Sequence, residues 1–236
     1  MEQWLNAALN RLSCFFDAKP VRISKCVFFC DHKEYGKVAL KWACSKERKS
    51  LLCRESLWYK NSNVENTPVY LDFIESPPFY FLLTSWIDGK PLSLIMSQQQ
   101  RVNLNWIDDI SDILNQCHKR GINHGDIKPS NIIIQSKQAY LIDFGSYCYH
   151  GDHYQNLTRY SYTPMYAAFN PLTHSGMVRA CDDWYSLVAT IMAVNYQHYS
   201  DGMTLIDAIK DENKLKKINL PVRFLRIIKQ QLSLNQ

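Results

Sequence analysis

Apolar positions in the early part of the chain follow two periods. They recur at helical spacing over residues 2–12 and 46–60, which predicts two helices, and the first is expected to cap the neighbouring strands. Short apolar runs bounded by turn residues predict β-strands. These runs are residues 21–24, 26–30, 37–43, 69–74 and 79–83. This part of the chain should form a small sheet with one main helix.

The later part of the chain is mostly helical by the same criterion. Apolar spacing predicts a long helix over residues 103–120, ended by Gly121. One β-hairpin interrupts the helical pattern, because apolar runs at 132–134 and 140–142 flank a polar Gln-Ser-Lys-Gln turn. Two short helices are predicted near the end, over residues 204–210 and from Pro221.

Polar residues around the predicted hairpin form a candidate site. Asp126 precedes the hairpin, Asn131 stands at the start of its first strand, and Asp143 follows its second strand. The hairpin should therefore bring these side chains to one end, where their hard oxygen atoms suit Mg²⁺. Lys128 adds a positive charge that faces a bound anion. The pattern is typical of phosphoryl transfer.

Two motifs in this region resemble those of the protein kinase family. Residues 124–131, His-Gly-Asp-Ile-Lys-Pro-Ser-Asn, are similar to its catalytic loop, and residues 143–145, Asp-Phe-Gly, to its magnesium-binding turn. The resemblance implies an α+β, bilobal protein-kinase-like fold. Residues 1–88 would form an N-lobe with a small antiparallel β-sheet and one main helix. Residues 89–236 would form a mostly helical, truncated C-lobe.

The same resemblance implies roles for the residues of the candidate site. Asp126 would accept or orient the proton of a substrate hydroxyl, and Lys128 would hold the γ-phosphate as charge develops on it. Asn131 and Asp143 would bind Mg²⁺ that bridges the phosphates of ATP. Residues 163–170 resemble the substrate-binding end of the activation segment. Thr163 is expected to hydrogen-bond near the catalytic residues and is counted with the ATP site.

Upstream residues complete the nucleotide site that the resemblance implies. Lys41, in a Val-Ala-Leu-Lys strand, would reach the α- and β-phosphates. Glu55 is the first candidate for the helix carboxylate that pairs with Lys41, and Glu47 is the second. Residues 84–89 look like the hinge between kinase lobes. There the Ser85 carbonyl and the Ile87 N–H would hydrogen-bond adenine.

Two departures from the family pattern affect activity more than fold. The first glycine of the chain is Gly36, so the Gly-x-Gly-x-x-Gly loop that covers phosphates is missing. ATP use should therefore be weak or slow unless a partner protein orders the lobe.

Gly125 stands where the family has an Arg that pairs with a phosphorylated activation loop. Loop phosphorylation is therefore not expected to be the main switch. Asp183, by contrast, fits the family's pattern and should accept N–H bonds from the catalytic loop.

Composition excludes several classes of protein. With 236 residues, 46% hydrophobic and 13% aromatic, the chain can bury the core of one two-lobed domain. Its net charge of +5 is too weak to indicate nucleic-acid binding. No apolar run is long enough for a membrane span, and no secretory signal is seen. Eight scattered cysteines indicate reduced thiols in a cytoplasm, either of the protein's own cell or of a host into which it is secreted.

Three functions remain open from the sequence. The first is an ATP- and Mg²⁺-dependent serine/threonine kinase with a protein substrate, which Lys128 and Thr163 favour. The second is a small-molecule or other non-protein kinase of the same fold. The third is a pseudokinase that binds a partner without catalysis. Minimal kinases of this sort resemble effectors that bacteria inject into host cells, some of which need an activating host protein.

Overall fold

The structure is a computed structural model that describes residues 2–100, 102, 104–158 and 160–195. It divides into two compact units. The first comprises the chain up to Asn63 together with Thr67–Asp88. The second comprises Val64–Asn66 and the chain from Gly89 onward. The segment Val64–Asn66 thus belongs to the second unit although the first unit surrounds it in the sequence.

The first unit is built on a five-stranded antiparallel sheet with the order β1-β2-β3-β5-β4. Helix α1 precedes the sheet and helix α2 connects β3 to β4. These elements are α1 (Glu2–Leu12), β1 (Val21–Arg22), β2 (Val27–His32), β3 (Gly36–Ala43), α2 (Lys46–Asn61), β4 (Tyr70–Ser76) and β5 (Phe79–Ser85). Both predicted helices and the predicted strands of this region are confirmed, with ends shifted by a few residues.

Alternation along β3 gives the sheet two different faces. Val38, Leu40 and Trp42 are buried on one face, in a cluster that also contains Leu5 and Leu9 of α1. Each buried leucine contributes roughly 2 kcal/mol to folding. The predicted role of the first helix as a cap is therefore confirmed. The opposite face of β3 carries the half-buried residues Ala39 and Lys41. It is called the Lys41 face below.

The second unit combines helices with short hairpins. Strands β6, β8 and β9 form one sheet, and β7 pairs with β10 in another. The strands are β6 (Lys90–Pro91), β7 (Ile122–Asn123), β8 (Ile132–Gln135), β9 (Gln138–Leu141) and β10 (Cys148–Tyr149). The helices are α3 (Leu92–Ser97), α4 (Trp106–His118), α5 (Phe169–Thr173) and α6 (Ala180–Asn195). None of the helices in the described ranges is long and apolar enough to cross a lipid bilayer.

The segment Val64–Asn66 is held in the second unit by hydrogen bonds. The backbone N–H of Leu141 donates to the carbonyl of Asn66 over 3.1 Å, and the N–H of Glu65 donates to Oε1 of Gln116 over 3.1 Å. The side chain of Gln138 also donates to Oδ1 of Asn66 over 2.9 Å. This short segment therefore completes one end of β9.

The predicted hairpin is confirmed as β8 and β9, and other details of this unit differ from the prediction. Helix α4 ends at His118, and Gly121, with a φ of +69°, follows it by three residues instead of ending it directly. Strand β6, helix α3 and the β7–β10 pair were not predicted. The predicted helices over 204–210 and from Pro221 lie outside the described residues.

Candidate active site

A buried acid of α6 fixes the backbone of the catalytic loop. Asp183 accepts hydrogen bonds from the N–H of His124 at 2.7 Å and from the N–H of Gly125 at 2.9 Å. His118 Nε2 lies 3.2 Å from the same carboxylate. Burial favours the neutral acid, but the hydrogen bonds that Asp183 accepts from His118 and from the Gly125 N–H outweigh it and lower the pKa of Asp183. The predicted structural role of Asp183 is confirmed.

His124 connects the catalytic loop to the Asp-Phe-Gly turn. Its Nδ1 accepts the N–H of Asp126 at 3.2 Å, so Nε2 carries the proton and donates to the carbonyl of Ile142 at 3.1 Å. The ring of Phe144 packs edge-on against the imidazole, with 4.5 Å between centroids. His124 is completely buried. The residues immediately before and after Asp143 therefore both contact His124.

Asp126, Lys128 and Thr163 form one hydrogen-bonded group. Lys128 Nζ donates to Oδ2 of Asp126 over 2.6 Å and to Oγ1 of Thr163 over 2.9 Å. In the described part of the chain, the other oxygen of Asp126, Oδ1, is buried and has no hydrogen-bond partner. A buried carboxylate oxygen without a partner is costly. It therefore marks a position where a proton donor of a ligand could bind.

Asn131 stands at the start of β8 and has donors and acceptors suited to a metal site. Its Nδ2 donates to the carbonyl of Asp126 over 2.9 Å, while its own carbonyl accepts the N–H of Ile142 over 2.9 Å. The side-chain oxygen of Asn131 is therefore available to a cation. Asp143 follows β9 with a left-handed backbone, φ +69°. A carboxylate and an amide oxygen are the ligands that Mg²⁺ prefers, so this pair fits the ion.

In the first unit, Lys41 and Glu55 form an ion pair. Lys41 Nζ lies 2.6 Å from Oε2 of Glu55, and the Glu55 side chain is only 5% exposed. Helix α2 carries this carboxylate and begins after Ser45, whose hydroxyl accepts the N–H of Arg48 at 3.3 Å. The second candidate, Glu47, is exposed in the first turn of α2. Of the two acids, Glu55 is the one that contacts Lys41.

The end of β5 and the residues that follow it present backbone groups at the edge of the Lys41 face. The N–H of Ser85 donates to Val69 over 2.9 Å, and the N–H of Trp86 donates to Lys37 over 3.1 Å. The N–H of Ile87 makes no hydrogen bond to another described residue. This donor is therefore open to a ligand.

Phe29 is a candidate ligand-contacting residue that sequence reasoning missed. It pairs with Ala39 across β2 and β3, and Ala39 pairs with Thr84 across β3 and β5. Residues paired in this way share a face, so Phe29 lies on the Lys41 face. Its ring packs edge-on against Trp86, with 5.0 Å between centroids. The available signal was its alternation with the buried Phe28.

The connection between β1 and β2 stands at the position of the missing glycine loop. The N–H groups of Ile23 and Ser24 both donate to the carbonyl of Val27, over 3.0 and 3.1 Å. The carbonyl of Cys26 accepts the N–H of Trp42 at 2.9 Å. The two amides are therefore already bonded within the hairpin and are not available to phosphate.

The predicted site residues thus fall into two sets, each within its own unit. The second unit brings together Asp126, Lys128, Asn131 and Thr163 by direct hydrogen bonds, with Asp143 next to Ile142. The first unit places Lys41 and Glu55 in contact and carries Ser85 at the end of β5 and Ile87 two residues further on.

Several known proteins with similar sequences are named as kinases. A "Probable casein kinase II subunit alpha homolog" of Encephalitozoon cuniculi is 29% identical over 122 residues, 50% of this chain and 38% of that protein. "Probable serine/threonine-protein kinase FPV226" of fowlpox virus is 32% identical over 105 residues, 41% of this chain and 36% of that protein. A "Probable bifunctional tRNA threonylcarbamoyladenosine biosynthesis protein" of Methanosarcina barkeri is 28% identical over 80 residues, 34% of this chain and 13% of that protein. The matches span less than two-fifths of each relative.

The family comparison covers much more of the chain. The protein kinase domain family matches residues 23–232, which include most of both units. The α+β, protein-kinase-like fold predicted from the sequence is confirmed by this match together with the antiparallel sheet of the first unit. The chain belongs to the protein kinase family.

Proposed function

We propose that the chain is an ATP- and Mg²⁺-dependent protein kinase that phosphorylates serine or threonine. One observation carries the proposal: Lys128 bonds one oxygen of Asp126 and the hydroxyl of Thr163, while the buried Oδ1 of Asp126 has no partner among the described residues. A substrate hydroxyl would complete the hydrogen bonding of that oxygen. The contact between Lys128 and Thr163 supports a serine/threonine substrate, as the resemblance implies.

In the proposed reaction, the substrate hydroxyl oxygen forms a bond to the γ-phosphorus while the bond between that phosphorus and the β-γ bridging oxygen breaks. Oδ1 of Asp126 takes the hydroxyl proton, and ADP leaves. Lys128 stabilises the charge that develops on the transferred group. Bound Mg²⁺ would supply further positive charge to the phosphates, and Asn131 and Asp143 are the residues that would hold it.

The first unit would bind the nucleotide along its Lys41 face. Lys41, oriented by Glu55, would contact the α- and β-phosphates, and the backbone of Ser85 and Ile87 would bind the base. Lys41 and Val38, the partner of Ser85, are three residues apart on β3, or about 10 Å at the usual strand rise. This spacing is similar to the distance between the phosphates and the base of a nucleotide.

Apolar residues of the Lys41 face support nucleotide binding. Val21 of β1 pairs with Phe29, so both lie on this face, and Val21 is 56% exposed. Ile23, two residues further, is 53% exposed. Exposed apolar side chains beside a charged lysine suit a ligand with a flat apolar base and an anionic tail.

The bonded β1–β2 connection limits how tightly ATP can be held. With the amides of Ile23 and Ser24 engaged in the hairpin, Lys41 and the metal ligands would carry most of the phosphate binding. We therefore expect weak affinity for ATP in the isolated protein, and an activating protein partner remains part of the proposal.

A non-protein kinase is the second candidate. It is favoured by the similarity to the tRNA threonylcarbamoyladenosine biosynthesis protein, of which this chain matches 13%. The Lys128–Thr163 contact favours the first candidate. A catalytically inactive partner-binding module is disfavoured, because the contact between Lys41 and Glu55 and the group around Asp126 are both intact.

The test incubates the purified chain with labelled ATP, Mg²⁺ and a degenerate peptide library containing serine, threonine or tyrosine as acceptor. We expect label on serine and threonine peptides and none with the Asp143→Ala variant. Label that appears only on small molecules or RNA of an added extract would support the second candidate. No transfer to any acceptor, with or without extract as a source of an activating partner, would contradict both.

A further inference from the structure

Gly125 lies in direct contact with the backbone of Ser146. A β-carbon at position 125 would lie 2.5 Å from the carbonyl oxygen of Ser146 and 3.3 Å from its carbonyl carbon. The φ of Gly125 is +84°, a backbone conformation that residues other than glycine rarely adopt. Two independent constraints therefore require glycine here, and one of them is a contact with a distant part of the chain.

The contact belongs to a series that holds the Asp-Phe-Gly turn against the catalytic loop. Ile142 and Phe144 both contact His124, as described above, and Ser146 contacts Gly125. Asp183 fixes the N–H groups of the same two catalytic-loop residues. Ile142, Phe144 and Ser146, which flank Asp143, thus pack on His124 and Gly125, the two residues that precede Asp126.

The same segment continues as a strand along the entry to the catalytic loop. Cys148 and Tyr149 of β10 pair with Asn123 and Ile122 of β7. His150 then donates its N–H to the carbonyl of Gly121 over 2.8 Å. The chain from residue 142 to residue 150 therefore follows the chain from 125 back to 121. A larger residue at 125 would separate the two segments next to Asp126 and three residues after Asp143.

We propose that Gly125 is a positioning residue that sets the separation of Asp126, the proton acceptor, from Asp143, the metal ligand. It does so by letting the carbonyl of Ser146 pack directly on its Cα. This inference rests on the proposed function. It also explains why position 125 lacks the family's arginine, because the backbone of Ser146 fills the space that a side chain at 125 would need. The placement of Asp143 then requires no charge at position 125.

The test compares Gly125→Ala with Gly151→Ala. Gly151 has a φ of +90° but nothing within 4 Å of where its β-carbon would lie. Both variants therefore carry similar backbone strain, and only one creates the clash. For Gly125→Ala we expect kcat to fall about 10²-fold, the loss typical of an ångström-scale misplacement of a reacting group. The Mg²⁺ concentration for half-maximal rate should rise, and peptide KM should stay unchanged. Gly151→Ala should keep the wild-type values.

A binding measurement separates this inference from the proposed function. Titrations with ADP alone and with ADP plus Mg²⁺ should show weaker binding to Gly125→Ala only when Mg²⁺ is present. Equal effects in the two glycine variants, or an unchanged Mg²⁺ dependence in Gly125→Ala, would overturn the inference and leave the proposed function intact. If neither the wild type nor Gly151→Ala transfers phosphate, the proposed function fails, whereas the binding comparison still judges the inference.

A second pair of variants serves if Gly125→Ala does not fold. Ser146→Gly loosens the backbone on the other side of the contact, while Ser146→Ala removes the same hydroxyl and leaves backbone freedom unchanged. We expect Ser146→Gly to lower kcat and raise the Mg²⁺ requirement relative to Ser146→Ala. Identical behaviour of these two variants would overturn the inference.

Discussion

Lys128 Nζ lies 2.6 Å from Oδ2 of Asp126, and the other oxygen of that carboxylate is buried without a partner among the described residues. The lysine therefore binds the carboxylate on one side only. Oδ1 of Asp126 therefore keeps its lone pairs for a proton donor, and no described residue of the protein supplies one. This asymmetry is what a general base next to an anionic transferred group requires.

Asp126→Asn should strongly slow transfer with the fold intact, because the amide has nearly the shape of the acid but cannot take a proton. General-base loss typically lowers the rate about 10²- to 10⁴-fold. Phosphate incorporation into peptide measures the rate, and thermal shift with ADP and Mg²⁺ measures binding, which should be retained. The control is Asp112→Asn, an exposed acid of α4. Transfer by Asp126→Asn at the control rate would contradict the assignment.

Glu55→Gln should raise KM for ATP and lower the rate, since Lys41 would lose the buried carboxylate 2.6 Å from its ammonium group. Glu47→Gln is the matched control, because Glu47 lies on the same helix and is exposed. We expect it to behave as wild type. Steady-state kinetics with varied ATP measure both variants, and a rise in KM in Glu47→Gln alone would exchange the roles of the two acids.

Phe29→Leu should weaken binding of ATP about 2- to 10-fold, the range expected when an aromatic contact worth 0.5–1.5 kcal/mol is lost. Binding of inorganic tripolyphosphate should not change, because it has no base. Calorimetric titration with the two ligands separates the effects. Phe15→Leu is the control, since Phe15 is an exposed ring that stacks on His32 in the same unit. Equal weakening of both ligands would place Phe29 away from the base.

Asp182 should make folding stability depend on pH. Its carboxylate accepts the hydroxyl of Tyr154 at 2.9 Å, and burial raises the pKa of Asp182 to about 6. A raised folded-state pKa means that the folded protein binds the proton more tightly than the unfolded chain. The stability from this group is thus full at low pH and is lost as pH rises toward and through about 6.

Comparison with Asp182→Asn isolates this contribution. Relative to the variant, the wild type should gain at most about 3 kcal/mol of unfolding free energy between pH 7.5 and pH 4. Urea denaturation at each pH measures this difference. A difference that is independent of pH would mean that Asp182 titrates normally.

Local patterns predicted the elements that carry the site. The β8–β9 hairpin follows from its apolar runs and turn, and the positions of Asn131 and Asp143 at the two ends of that hairpin made them a candidate metal-binding pair. The pairing of Lys41 with Glu55 was the first of two alternatives, because helical periodicity identifies a helix but does not determine which carboxylate of α2 contacts the strand.

Short and distant contacts could not be predicted. Strands β7 and β10 have two residues each, and they pair across about 25 positions of sequence, so neither has a local signal. The sequence shows that glycine stands at position 125, where the protein kinase family has an arginine. Its contact with Ser146 depends on how two remote segments pack, and no periodicity or turn rule encodes that distance.

The placement of Val64–Asn66 bears on how this protein can be dissected. Cutting the chain at the proposed lobe boundary near Asp88 would leave residues 64–66 on one fragment and their partners, Leu141, Gln116 and Gln138, on the other. The second fragment would lose the acceptor for the Leu141 amide, and the first would carry residues 64–66 without their hydrogen-bond partners. A cut at residue 88 would therefore remove part of the second unit, so the two units are better studied within the whole chain.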